Sequence, residues 1–277
     1  MRYRTLITVL LALCFGVLTA CGGAPNGQTD SLSYDDIKGS GLANNCPQLA
    51  QSSLDATIAI GANQSYQLNG LCLQPEEFLV RRSPVIKRQE SKFVRTKPLT
   101  RESFSLDQVS GSLQIGDDGG LTFVEQGGFD FQPVTVQLPD GERVPLLFTV
   151  KGLVAKNKDA STSLSPSTRL AGTFDVPPYR TSSFIDPKGR GVTVGYDAAV
   201  GLPSQADRED LSRQNLKSFD IGQGHISLQI NRVNRATGEI AGLFESDQPS
   251  DTDFGAKEAM DVKIRGQFYG RIEQVIA

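Results

Sequence analysis

The sequence predicts an all-β protein: a closed antiparallel barrel of about eight strands, with a long loop-rich head insertion and little helix. Three observations carry this. Apolar residues repeat with a period of two over several short stretches, as in half-buried strands. Turn residues punctuate those stretches at close intervals. Signals for long amphipathic helices are scarce.

The first strand pair is the clearest. Val134, Val136 and Leu138 alternate with polar neighbours, Pro139-Asp140-Gly141-Glu142 forms a turn, and Val144, Leu146, Phe148 and Val150 alternate again. An Asp-Gly step between alternating segments is a strong short-range hairpin signal. A second Asp-Gly turn, Asp118-Gly119, lies between Gly111 and Phe123. Further on, Ile226, Leu228 and Ile230 line one strand face, Asn234 to Gly238 turn the chain, and Ile240 to Phe244 return. The last strand alternates through Val262, Ile264, Gly266, Phe268, Gly270 and Ile272, and its glycines suit a coiled strand or a barrel corner. Closure would hide the edges of strands as apolar as Leu146–Val150. The best helical segment is Ala206–Phe219, with acids at its start and Lys217 near its end, as the helix dipole favours. Its apolar stripe is thin, so it predicts a short surface helix at most.

The chain begins with an export signal. Arg2 and Arg4 precede an apolar run of 13 residues, 6–18, too short to span a bilayer comfortably. Leu18-Thr19-Ala20-Cys21 resembles a bacterial lipobox, which makes Cys21 the acylated first residue of the mature protein; the alternative is plain secretion with cleavage nearby. Residues 21–33 are small and polar and read as a flexible tether. Residues 34–277 are then a single barrel domain, with the head insertion at about 176–222. Removing the signal leaves 26 Lys+Arg against 31 Asp+Glu, a net charge of about −5 that favours neither nucleic acid nor anionic lipid. Once Cys14 and Cys21 are set aside, Cys46 and Cys72 remain, and an exported chain with two cysteines most simply joins them. The single histidine, His225, argues against a thiolate–histidine zinc site and against Ser-His-Asp catalysis. No phosphate loop, HExxH or EF-hand pattern is present.

Three stretches stand out for contacts. Phe174–Pro203 opens with Pro177-Pro178, which stop any strand, and then carries Arg180, Asp186, Lys188 and Arg190 among glycines. Its alternative reading is an ordinary solvated loop. The run Arg81–Arg101 holds eight Lys/Arg and one acid, Glu90: either a solvated edge or a patch for an acidic partner. Asp251, Asp253 and Glu258 form an acidic cluster, which by itself reads as an Asx-rich turn.

The segment SSFIDPKGRG (182–191), followed by GYDAAVGLP (195–203), resembles the signature of the PsbO family, the manganese-stabilising extrinsic subunits of photosystem II. GLANNCP (41–47), CLQPEEF (72–78), residues 134–150 and residues 236–272 match it in the same order, so the resemblance covers nearly everything after residue 33. It implies a non-enzymatic subunit of the cyanobacterial type on the lumenal face of the thylakoid or the periplasmic face of the plasma membrane. Such a subunit caps the oxygen-evolving centre, excludes bulk water, and helps retain chloride and calcium. It supplies none of the ligands of the manganese–calcium cluster, which other subunits hold, and a calcium ion on the barrel is left open. The implied partners are the reaction-centre, core-antenna and other extrinsic subunits, with the membrane reached through the N-terminal lipid. The family also pairs the cysteines of its CP and CLQP motifs. Arg180, Asp186, Lys188 and Arg190 become docking residues, able to make charge-assisted bonds to carboxylates. Asp186, Asp251, Asp253 and Glu258 become a candidate proton path. Thr252 and Lys257 stand where some relatives carry an acid or a histidine, so a relay through those two positions does not follow here. The competing readings are a lipid-anchored periplasmic barrel carrying a small apolar ligand and an exported hydrolase using two carboxylates.

Overall fold

The computed structural model describes residues 45–49, 56–61, 64–82, 91–100, 104–116, 119–157, 162–178, 184–185, 192–193, 221–252 and 257–275. In chain order the strands are β1 (Ile58–Ala59), β2 (Ser65–Arg82), β3 (Lys92–Arg95), β4 (Lys97–Pro98), β5 (Leu106–Ile115) and β6 (Leu121–Phe129). They continue with β7 (Phe131–Gln137), β8 (Arg143–Thr149), β9 (Val154–Asn157), β10 (Ser163–Leu164) and β11 (Arg169–Val176). The last are β12 (Phe184–Ile185), β13 (Val192–Thr193), β14 (Gly222–Asn234), β15 (Glu239–Pro249) and β16 (Asp261–Val275). Among the described residues there is no helix; the expected helix at 206–219 lies outside them.

Eight of these strands form a closed antiparallel ring in the order β16-β15-β14-β11-β9-β6-β5-β2, shut by the pairing of β16 with β2. The ring places the C-terminal ends of β2, β6, β11 and β15 at one mouth, here called the head, with the N-terminal ends of the strands between them.

The hairpin read from residues 134–150 forms as β7 and β8, with Gly141 at φ 91° in the Asp-Gly turn and the Leu138 N–H donating to Glu142 O at 2.9 Å. It is not a wall of the ring. With β4 it makes a separate three-stranded sheet. Head-end bonds tie it to the barrel: Gln248 Nε2 donates to Leu147 O at 2.7 Å and the Asp251 N–H to Pro145 O at 2.9 Å. Arg82, at the end of β2, reaches the acids of the turn, Asp140 and Glu142. The hairpin of residues 226–244 forms as β14 and β15, turning at Asn234–Gly238.

β2, 18 residues long, bends around the barrel. One edge pairs with β16 throughout, while the other pairs first with β5 and then with β3. Pro75 falls opposite Gly266 at a register shift, where a residue without an N–H is tolerated. A second shift lies at Tyr269/Arg271, spanning Gly270. The glycines of the last strand thus mark irregular, strongly coiled points.

Side chains fill the interior. Phe78, Phe123, Phe148 and Phe174 are fully buried together with Leu68, Leu73, Leu106 and Leu146. Phe148 of the hairpin stacks on Phe244 of the ring at 6.0 Å, joining the head sheet to the barrel core. Glycines admit the rings: an added Cβ at Gly224 would meet the Phe174 ring, and one at Gly242 the Phe268 ring.

A Cβ at Gly266 would lie 1.9 Å from Gln74 O, a backbone atom on the closing strand. Gly266→Ala is therefore expected to cost about 3 kcal/mol or more, read by urea titration. A loss within experimental error would show that the β2–β16 seam relaxes freely.

Candidate docking end of the barrel

The insertion starts and ends at the head. β11 stops at Val176, Pro177-Pro178 follow, and the chain returns at Ile221-Gly222 into β14. Because β11 and β14 are paired, Val176 faces Gly222 and the two feet of the insertion stand side by side. Beside them is a cavity of about 180 Å³, lined by Leu147, Val176, Pro177, Pro178, Pro249 and Asp251 among others. The foot of the insertion and the β15–β16 loop therefore share one wall, although some 70 residues separate them in sequence.

Of the residues expected to dock or to carry protons, Asp251 and Glu258 are described. Asp251 is half-buried at the cavity, with its backbone bonded to β8, and Glu258 is exposed. The loop is closed by Ser250, whose N–H donates to Met260 O at 2.8 Å and whose hydroxyl accepts from the Met260 N–H at 2.9 Å. The Lys257 N–H donates to Thr252 O at 2.9 Å. Arg180, Asp186, Lys188, Arg190, Asp253 and Cys21 lie outside the described residues. Within the insertion, β12 pairs with β13 in a short hairpin, Phe184 opposite Thr193 and Ile185 opposite Val192.

The basic run 81–101 is not an uncompensated patch where it is described. Arg81 pairs with Asp261 at 2.9 Å, Arg82 with Asp140 and Glu142, and Arg95 with Glu77 at 2.5 Å. The outer wall continues this ladder. Glu245 lies opposite Arg265 and Asp247 opposite Lys263, while Arg265 in turn lies opposite Glu77. Lys263 is partly buried, which opposes its charge, but hydrogen bonds to Glu245 and the Asp247 charge hold its pKa above the usual value. The Lys263 hydrogen bond, with help from Arg265, keeps Glu245 below the usual carboxylate value. Each exposed pair contributes at most about 1 kcal/mol, so the ladder's main effect is to neutralise this wall rather than to stabilise it.

Sequence reading missed the carboxylates at the opposite side of the head. Glu125 on β6 accepts the Gly152 N–H at 2.8 Å through one oxygen, while its other oxygen is buried with no hydrogen-bond partner among the described residues. Burial chiefly pushes its pKa up, against the Gly152 bond; Asp130 adds to the rise and Lys151 opposes it. Asp130 is buried and accepts from Lys151 Nζ at 3.4 Å. Nothing in the local sequence marks Glu125, because Gly152 reaches it only through the β6–β9 pairing.

On the wall, Cys46 and Cys72 are joined by a disulfide with Cα atoms 5.6 Å apart. They pack with Tyr269 in a small cluster separate from the core. The crosslink pins residues 45–49 to the outside of β2, and the Cys46 N–H donates to Gln74 Oε1 at 2.8 Å. Among the described residues, no group of three or more His, Cys, Asp or Glu side chains is placed to hold a metal ion.

The described residues define a closed, side-chain-filled antiparallel β-barrel with the feet of an insertion and the Asp251 loop at one mouth. Residues 30–272 match the family model described as manganese-stabilising protein / photosystem II polypeptide, and the chain belongs to that family. It is 56% identical over 274 residues to the photosystem II extrinsic protein O of Nostoc sp., covering 99% of this chain and 100% of that one. The protein of the same name from Synechococcus elongatus is 54% identical, covering 99% of both chains. The chloroplastic oxygen-evolving enhancer protein 1 of Volvox carteri is 45% identical, covering 89% of this chain and 81% of its own. The outer membrane protein OprG from Pseudomonas aeruginosa overlaps 78% of this chain and 99% of its own at a TM-score of 0.30 and 9% identity, too slight to bear on either fold or function.

The Glu125 carboxyl gives a pH prediction. Its pKa in the folded protein is raised, so its contribution to stability is full below the unfolded value and is lost as pH rises through the folded one. Glu125→Gln should raise Tm near pH 7 by no more than about 2 °C, since the site is half-open to water. The gain should vanish below about pH 4. Thermal melts at both pH values test this; a lower Tm at pH 7 would contradict it.

Proposed function

We propose that this chain is an extrinsic subunit of photosystem II that caps and stabilises the manganese–calcium oxygen-evolving cluster held by other subunits. The observation that carries this reading is the near full-length identity to proteins named photosystem II extrinsic protein O. The physical design agrees with it. A packed barrel holds two feet and an acidic loop at fixed positions, so docking groups lose less conformational freedom on binding than they would on a mobile chain.

In this reading Arg180, Lys188 and Arg190 pair with carboxylates of the reaction-centre and core-antenna subunits, and Asp186 either stiffens the insertion or faces the partner. Asp186, Asp251, Asp253 and Glu258 contribute to a path for protons and water away from the centre. Capping also slows the loss of chloride and calcium, and the chain itself breaks no bonds. Cys21 is the acylated first residue, holding the subunit at the lumenal or periplasmic face of its membrane. The Cys46–Cys72 crosslink forms after export, where oxidising conditions sustain it. The carrier reading is not favoured, because bulky side chains occupy the barrel interior.

The test is a pull-down from detergent-solubilised membranes with the native N-terminus retained, followed by oxygen-evolution assays on the recovered particles. Photosystem II core subunits should co-purify; recovery of a bound lipid alone, or of no partner, would reject the reading. Arg180→Ala and Asp186→Asn should leave thermal unfolding unchanged while weakening rebinding to stripped particles by about tenfold, the loss of one charge-assisted contact. Unchanged rebinding in both variants would remove the insertion from docking.

A further inference from the structure

β15 changes chemistry along its inward face. Its inward positions run Ile240, Gly242, Phe244, Ser246, Gln248, and Ser250 follows at the strand's end. The first three are apolar or bare, the last three polar, and all six are buried. Ser246 is 0% exposed and Gln248 is 4% exposed. Ser246 Oγ and Gln248 Oε1 have no hydrogen-bond partner among the described residues.

Neighbouring side chains do not relieve this. Ser246 lies opposite Ile226 on one side and Ile264 on the other, and Gln248 lies opposite Val262, so the adjacent side chains offer neither donor nor acceptor. The Gln248 amide cannot simply be reversed. Its Nε2 donates to Leu147 O at 2.7 Å, and turning it over would set two carbonyl oxygens against each other. Gln248 Oε1 is therefore held as an acceptor in need of a donor. Leaving either atom dry would cost about 1–3 kcal/mol, a cost that folded proteins normally avoid by enclosing water.

We infer that the head end of the barrel encloses an ordered-water site built on Ser246 and Gln248. Residues two apart on a strand are about 6.5–7 Å apart along it, and a flexible glutamine side chain shortens that gap to what one bridging water spans. Water suits the group better than a cation does: Ser246 supplies both a donor and an acceptor, Gln248 an acceptor, and none of these six inward positions is a carboxylate. Ser250, the next inward position on the same row, lines the cavity at the foot of the insertion. Its role is to let β15 carry hydrogen-bonding groups inward where β8 crosses the mouth, so the hairpin is held through Leu147 O without a dry polar defect behind it.

The sign of one substitution separates the alternatives. If the site is hydrated, Ser246→Ala deprives the water of a partner and lowers Tm. If it is dry, the same change removes an unsatisfied group and raises Tm. Water-oxygen magnetic relaxation dispersion on the mature full-length protein supplies the second readout, the number of long-lived internal waters. The inference requires Ser246→Ala to lower both Tm and that number relative to wild type. An unchanged or raised Tm, or an unchanged water count, would overturn it.

Discussion

Everything in this structure hangs on one seam, the antiparallel pairing of β2 with β16 over thirteen cross-strand pairs from Val80–Val262 to Ser65–Val275. It joins segments near the two ends of the described chain, so the ring cannot close until nearly all of the chain has been ordered. Such a contact costs loop-closure entropy before it returns any energy. The return is large. Closure removes two sheet edges and buries the row from Leu68 to Phe78 against Phe268 and Ile264. The seam also brings backbones close together: a Cβ on Gly266 would meet Gln74 O, and Pro75, opposite Gly266, is tolerated at the register shift there.

A closed ring has two mouths; the short β1–β10 pairing precedes β2 and β11 at one, and the capping hairpin and the feet of the insertion are at the other, the head. The β7–β8 hairpin lies across the head, inserts Phe148 against Phe244, and bonds to β15 through Leu147 and Pro145. The insertion stands on β11 and β14 beside it, and the loop of Asp251 and Glu258 completes the rim. The outer wall, in contrast, neutralises itself through Glu77, Glu245, Asp247, Lys263 and Arg265. A partner with charged surfaces finds competing internal pairs on that wall. Polarity between head and wall is what suits the fold to a capping role.

Much of this was legible in the chain because it rests on local patterns. Both long hairpins announce themselves by alternation around Asp-Gly or Asn-to-Gly turns, and the glycines of β16 point to coiling. β2 was not legible as one strand: Gly70, Pro75 and the Glu76-Glu77 pair break its alternation, and only the β16 partner shows that these are bulges rather than ends. The position of β7 and β8 was equally hidden. A hairpin that walls a barrel and one that caps it share the same period of two, and Phe148–Phe244 contact decides between them. The charges were hardest to read. Arg81 and Arg82 look like a free basic patch until pairing brings Asp261, Asp140 and Glu142 to them from remote parts of the sequence. Glu125 becomes unusual only through its burial beside Gly152. The recurring family strings identified the chain's relatives; they said nothing of these pairings.

The central claim is that a rigid barrel meets its partner through the head alone. Amide hydrogen exchange, compared between the free protein and the protein bound to photosystem II particles, addresses it directly. New protection should be confined to the insertion and the 250–260 loop, with β2, β14 and β16 already at their slowest in the free state. Protection gained along the outer wall of β15 and β16, or a β2–β16 seam that opens before the rest of the barrel, would contradict the account.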